Sequence, residues 1–358
     1  MCLQMSTTTH TRQTQPFPNM KTLLHVLFLF CFANILAAQQ ETPSLFGNIT
    51  ATEGARLVLE TDLDVYQDNR KTADQFPGMI ILADGSIFKV NLSVRGKFRR
   101  MSCKYPPLKV KVPKKALLAA GLDTLNELKL MLPFDDSKAS GEWLVKEYLS
   151  YRMFEQLSPN SVRARLLQLT LKDSRTGKSN TMMCVAVEDK EETLARLQGT
   201  LVETYGITEE QLDTDQYALM AVFQYMIGNT DWQVDSYRNV RLVKISGNEK
   251  LLVLPYDLDF SGMVNPAYAR PSLDYNLASM TDRYFMAQSL NPEIVRSAVQ
   301  RFVQARTGFY SLCQSPILSP KAAREMTGYL DSFYKQITPD GDLRFSSAEE
   351  KTASGTAK

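Results

Sequence analysis

Gly228-Asn229-Thr230-Asp231-Trp232, followed by Pro255-Tyr256-Asp257-Leu258-Asp259-Phe260-Ser261-Gly262, is the stretch that decides how this 358-residue chain is read. It sets Asp231, Asn239, Asp257 and Asp259 on turns between short apolar runs. A single Asp on a turn needs no function, because its side chain hydrogen-bonds readily to nearby backbone. Several acids gathered on turns and strand ends are different: phosphate-transfer enzymes hold divalent cations beside a nucleotide in this way. Residues 240–245 and 251–255 read as two strands across Ser246-Gly247-Asn248, a hairpin that delivers Asp257.

Upstream, the spacing predicts helices over about 191–204 and 209–226. The second bears an apolar stripe of Leu212, Tyr217, Leu219, Met220, Phe223 and Met226 that runs into Gly228. Earlier still the pattern is strand-like at 56–61, 79–82, 87–95, 106–112 and 126–132, with a turn at Asp84-Gly85. In two of these runs Leu108, Val110, Val112 and Leu128, Leu130, Leu132 fall on one face, which places Lys109, Lys111 and Lys129 on the other. A helix opening near Ser140 repeats Val145, Leu149, Met153 and Leu157 and stops before Pro159. Strands at 163–171 and 181–187 follow, around Thr176-Gly177-Lys178. Residues 279–338 read as mostly helical, and the tail from Pro339 as fraying.

After a polar stretch at 1–19 come Met20-Lys21, an apolar run from Leu23 to Leu36 and the small residues Ala37-Ala38. That is the plan of an export signal, with Met20 an alternative start and cleavage near Ala38, and the run is too short for a permanent membrane helix. The expectation is a secreted or periplasmic protein with no stable membrane insertion after cleavage. Its domains would be 1–38 signal peptide, 39–188, 189–338 and a disordered tail at 339–358. A formal net charge of +2 argues against nucleic acid as a partner. Both histidines, His10 and His25, precede the cleavage site, so a histidine triad or dyad is excluded from the mature protein. Cys103, Cys184 and Cys313 remain after cleavage and allow at most one bridge.

The element order is strands, a helix, two strands, a crossing at Val187-Glu188-Asp189, helices, and acidic turns around a hairpin. It reads as an α+β, two-lobed protein-kinase-like fold with a β-rich N-terminal lobe and an α-rich C-terminal lobe. Arg95-Gly96 through Lys111, the helix at 143–157, and Tyr256-Asp257-Leu258-Asp259 followed by Gly262 resemble the CotH spore-coat kinase-like family. Gly228–Asp231 also resembles the catalytic loop of HipA-type and lipid-kinase-like enzymes. The resemblance implies an atypical kinase that transfers the γ-phosphoryl group of ATP to protein hydroxyls with Mg²⁺ or Mn²⁺. It implies Asp231 as the catalytic acid, Asn239 and Asp257 as metal ligands, and Asp259 as a second ligand or an orienter. It further implies Lys111 or Lys129 on the phosphates, Glu147 paired with that lysine, and Arg95 and Arg99 as added phosphate contacts.

Seven residues separate Asp231 from Asn239, where ordinary protein kinases have four. No glycine-rich nucleotide loop and no P-loop lysine motif occur. These departures bear on ATP turnover rather than on fold. They keep open a second reading, a silent kinase-like scaffold that acts as an extracytoplasmic binding or assembly protein. A third, structural Ca²⁺ at Asp231, Asp235, Asp257 and Asp259, lacks EF-hand spacing.

Overall fold

The computed structural model describes residues 42–345 apart from Ala73. The expected signal peptide, with His10, His25, Cys2 and Cys31, lies outside the described residues. Among these, no helix is long and apolar enough to cross a membrane.

Seven strands close into a barrel in the order β1-β2-β3-β4-β5-β7-β6: β1 (Ala55–Thr61), β2 (Phe76–Ile81), β3 (Ile87–Val94), β4 (Leu108–Lys111), β5 (Glu127–Met131), β6 (Ala164–Asp173) and β7 (Ser179–Val187). Most neighbours are antiparallel, but β1 and β6 run parallel, from Ala55 opposite Leu167 to Thr61 opposite Asp173. The alternation seen in the sequence fills the barrel. Leu57, Leu59, Ile80, Leu92, Val110, Leu128 and Leu169 are buried in one core. Lys109 stands opposite Lys129, and Lys111 opposite Glu127, on the outward face.

A second core lies beyond β7. It joins helices α5 (Lys138–Leu157), α7 (Thr214–Ile227), α8 (Pro292–Cys313) and α9 (Pro320–Tyr334) to a three-stranded sheet of β8 (Gly199–Leu201), β9 (Val240–Ile245) and β10 (Leu251–Pro255), in the order β10-β9-β8. Four short helices also flank the barrel strands: α1 (Leu45–Ile49), α2 (Leu63–Asp68), α3 (Phe98–Ser102) and α4 (Lys114–Ala119). They have one or two turns each, too short for helical periodicity to declare itself in sequence.

The expected helix over 191–204 ends early. Helix α6 (Lys190–Leu197) stops at Gln198, which takes a left-handed φ of 51°. The chain then forms β8 (Gly199–Leu201) against β9 (Val240–Ile245). Gly199 makes this approach possible, since a Cβ there would lie 2.5 Å from Val243 and 3.0 Å from the Lys244 carbonyl. The helix expected from 209 also divides. Glu209–Gln211 is a single 3₁₀ turn, and Asp213 caps α7 by accepting from the Gln216 N–H at 3.0 Å. Helix α5 is capped by Ser137 rather than from Ser140, whose N–H Ser137 Oγ accepts at 3.2 Å. Residues 279–291 are not helical.

The hairpin of β9 and β10 (Leu251–Pro255) forms as expected, with Val240 opposite Pro255. Beyond α9 the chain folds back, burying Leu343 and pairing Arg296 with Asp342 at 2.7 Å. Residues 346–358 of the expected tail lie outside the described residues. Cys103, Cys184 and Cys313 are all buried and free.

Candidate functional site

Helix α7 ends at Gly228, whose φ of 67° turns the chain sharply while its N–H reaches the Gln224 and Tyr225 carbonyls. Asn229, buried next to it, donates to Gln224 Oε1 at 3.0 Å and accepts from the Asp231 N–H at 2.9 Å. That short loop of bonds sets Asp231. Its Oδ2 accepts from Asn239 Nδ2 at 2.9 Å, and its Oδ1 lies 3.6 Å from Arg238 Nε. Asn239, itself left-handed with φ 52°, also donates to the Asp231 carbonyl at 2.7 Å, and its own carbonyl accepts from the Tyr256 N–H at 3.1 Å. One asparagine therefore ties the Asp231 loop to the acidic turn.

Asp257 is the next residue and is also left-handed, at φ 59°. Asp and Asn tolerate that region better than other non-glycine residues. Its N–H donates to Tyr151 Oη at 2.8 Å. Tyr151 and Glu147 are four residues apart on α5, so they share one face of the helix. The turn is pinned to the end of α7 where Gly262 N–H donates to the Gly228 carbonyl at 3.0 Å. Glu147, Asp257 and Asp259 then meet: one oxygen of each lies within 4.8 Å of the others.

Charge in this cluster is poorly screened. Glu147 is 1% exposed and Asp259 4%. Burial, then the Asp259 carboxylate, pushes the Glu147 pKa well above the ordinary carboxylate range, against the pull of Arg99. Burial and the Asp257 charge raise Asp259 to about 7. Burial also raises Asp231, with Arg238 opposing. Arg99 Nη1 lies 3.4 Å from Glu147 Oε2, and Nη2 donates to the Leu132 carbonyl at 2.7 Å. Burial works against the Arg99 charge, but Glu147, Tyr268 and Asp259 outweigh it and hold its pKa above the ordinary value. Tyr268 Oη donates to Asp259 Oδ2 at 3.0 Å, and its ring stacks on Phe134 at 4.8 Å.

A basic cluster adjoins the acids. Arg95 donates to the Tyr256 hydroxyl, Arg241 lies 4.6 Å from the Tyr256 ring centroid, and Lys129 Nζ lies 5.7 Å from it. Burial opposes ionisation of Tyr256, but Arg95, Lys129 and Arg241 together lower its pKa. Lys129 is held by Asp189 at 3.1 Å, and Arg241 donates to the Glu188 carbonyl at 3.0 Å.

Asp231, Asn239, Asp257, Asp259, Glu147 and Arg99 thus come together, with Arg95 and Lys129 next to them. Lys111 instead pairs with Glu127 at 3.1 Å and lines a cavity of about 320 Å³ with Asp189 and Glu192. The expected pairing of Glu147 with a lysine is corrected. Arg99 takes Glu147 because α3 brings its guanidinium onto α5, while Asp189 and Glu127 occupy Lys129 and Lys111. Asn239 sits beside Asp231, and Glu147 joins Asp257 and Asp259 in the carboxylate trio. Tyr151 and Arg241 were not anticipated, and Asp189 and Tyr256 appeared in the crossing and the acidic motif without a role at the site. The four-residue spacing of Glu147 and Tyr151 was the available signal.

Residues 187–296 match the family described as CotH kinase protein. That segment is CotH-like. The CotH match runs from the end of β7 into α8, and so takes in Asp231, Asn239, Asp257 and Asp259 but not Arg95, Arg99, Lys111, Lys129 or Glu147. Among solved structures, the proinflammatory kinase CtkA of Helicobacter pylori is similar to this chain at 12% identity. The likeness covers 70% of this chain and 92% of that one, with a TM-score of 0.36. No curated protein sequence matches.

The donor set fits a divalent cation. It offers three hard carboxylates, and Glu147 Oε1 is buried without a hydrogen-bond partner.

Proposed function

We propose that the chain is an exported CotH-like atypical protein kinase with a two-lobed fold. It would transfer the γ-phosphoryl group of ATP to hydroxyls of extracytoplasmic proteins. The observation that supports this best is the meeting of Asp231, the carboxylate trio and the Lys129–Arg95 cluster within one small region. Asp231, held by Asn239 and Arg238, takes the proton of the acceptor hydroxyl. The oxygen of that hydroxyl bonds to the γ-phosphorus, the bond to the β-phosphate oxygen breaks, and ADP leaves. Lys129 and Arg95 offer positive charge to the phosphates. Asp257 and Asp259 would hold the cation. Bound there, Mg²⁺ or Mn²⁺ supplies charge neutralisation on the phosphate oxygens.

A silent scaffold is the second reading. It is favoured by the prior engagement of Lys129, Arg95 and Arg99 with Asp189, Tyr256 and Glu147. Radiolabel transfer from ATP and equilibrium ATP binding, each with Mg²⁺ or Mn²⁺, separate the two. Asp231→Asn should cut transfer by about 100-fold or more while leaving ATP bound. Asp257→Asn should abolish metal-dependent ATP binding with an unchanged circular-dichroism spectrum. Wild-type protein that binds ATP and metal but transfers nothing is the scaffold. Protein that binds neither is not a phosphotransferase.

A further inference from the structure

We propose that Glu147 is itself a protein ligand of the divalent cation, joining Asp257 and Asp259 in a three-carboxylate site that fastens α5 to the acidic turn. The inference deepens the phosphotransfer reading, since it concerns the same site, but it rests on separate observations.

The first is geometric. Glu147 comes from a twenty-residue helix and the two aspartates from a turn 110 and more residues later, yet one oxygen of each lies within 4.8 Å of the others. The second is an unmet need. Glu147 is 1% exposed; its Oε2 has Arg99 at 3.4 Å, and its Oε1 has no partner. A buried carboxylate oxygen without a donor is costly, and such atoms in folded proteins point to an ion or a water. The third is the absence of a competing explanation. No lysine contacts Glu147 among the described residues, because Asp189 and Glu127 hold the two candidates.

Charge points the same way. Three carboxylates face one guanidinium, Arg99, so a dication brings these four side chains to neutrality. The donors are all hard oxygens, with no imidazole or thiolate among them. This suits Mg²⁺, Mn²⁺ or Ca²⁺ and disfavours softer metals. Tyr151 and Arg99 act as positioning residues. The first holds the Asp257 backbone against the face of α5 that carries Glu147, and the second fixes one Glu147 oxygen so that the other is free to coordinate.

The test uses the full chain and Mn²⁺ alone, without nucleotide, and reads the loss of the free-ion electron paramagnetic resonance signal. Wild-type protein should take up Mn²⁺, and Glu147→Gln should weaken uptake by about tenfold or more, as Asp257→Asn does. A second measurement needs no variant. Saturating Mg²⁺ should slow amide hydrogen exchange in wild-type protein at 140–151 and at 257–262 together. Unchanged Mn²⁺ affinity in Glu147→Gln, or protection confined to 257–262, overturns the Glu147 assignment and leaves the phosphotransfer reading standing. A chain that takes up no Mn²⁺ overturns both.

Discussion

Two glycines hold the acidic turn against the end of α7, and neither has room for a methyl group. A Cβ on Gly262 would lie 2.6 Å from the Met280 carbonyl oxygen and 3.0 Å from Tyr329 Cζ. One on Gly228 would crowd the same tyrosine from a left-handed backbone. Tyr329 cannot easily yield. Arg283 stacks 3.8 Å from its ring centroid and also binds its carbonyl, and its hydroxyl donates to the Thr281 carbonyl at 3.1 Å. Gly262→Ala should therefore cost about 1–3 kcal/mol, read as a lower urea midpoint at unchanged slope. An unchanged midpoint would mean that the loop at 280 moves aside. At this scale the sequence was informative about Asp231, Asn239, Asp257 and Asp259, because turn residues announce themselves by type and spacing. It was silent about the partners of Glu147, since an ion pair between α3 and α5 depends on packing that no local pattern encodes.

Among the elements, strands were more legible than short helices. The barrel strands alternate because one face is buried, and that alternation is written in the chain. The strand β8 was hidden: three residues carry no period, and only Gly199 and the left-handed Gln198 mark the break from α6. Helix α6 also bears a titratable tie. Ser44 Oγ, which caps α1, donates to Glu192 Oε1 at 2.6 Å. Burial, then the charges of Glu188 and Asp123, raises Glu192 to about 7 against Ser44 and Arg196. The folded chain then holds a proton that the unfolded chain has lost, over the interval between the ordinary glutamate value of 4.5 and about 7. Stability from this group is full below that interval and declines as pH rises through it. Thermal melts between about pH 5 and pH 8 should show the decline, and Glu192→Gln should flatten it. Asp259 titrates in the same direction, so the difference between wild type and variant isolates Glu192. Identical slopes would refute the assignment.

For the molecule as a whole, stability rests on two apolar cores rather than on covalent ties. Cys103, Cys184 and Cys313 are buried and free. Burial raises the thiols of Cys184 and Cys313 to about 12, which leaves almost no thiolate to react. Melting temperatures with and without dithiothreitol should coincide, and a drop on reduction would reveal a bridge involving residues outside 42–345. The barrel itself has a further consequence. Its closing seam pairs β1 with β6, strands more than a hundred residues apart in sequence, and does so in parallel. As the polypeptide leaves the ribosome, β1 to β5 can meet in turn, but the ring stays open until residue 187 has emerged, because β7 fills the place between β5 and β6. Through that interval two unpaired strand edges are offered to any neighbouring chain. Closure is thus both the last step in building the barrel and the end of its greatest exposure to misassembly, a liability created by connectivity and absent from the finished barrel.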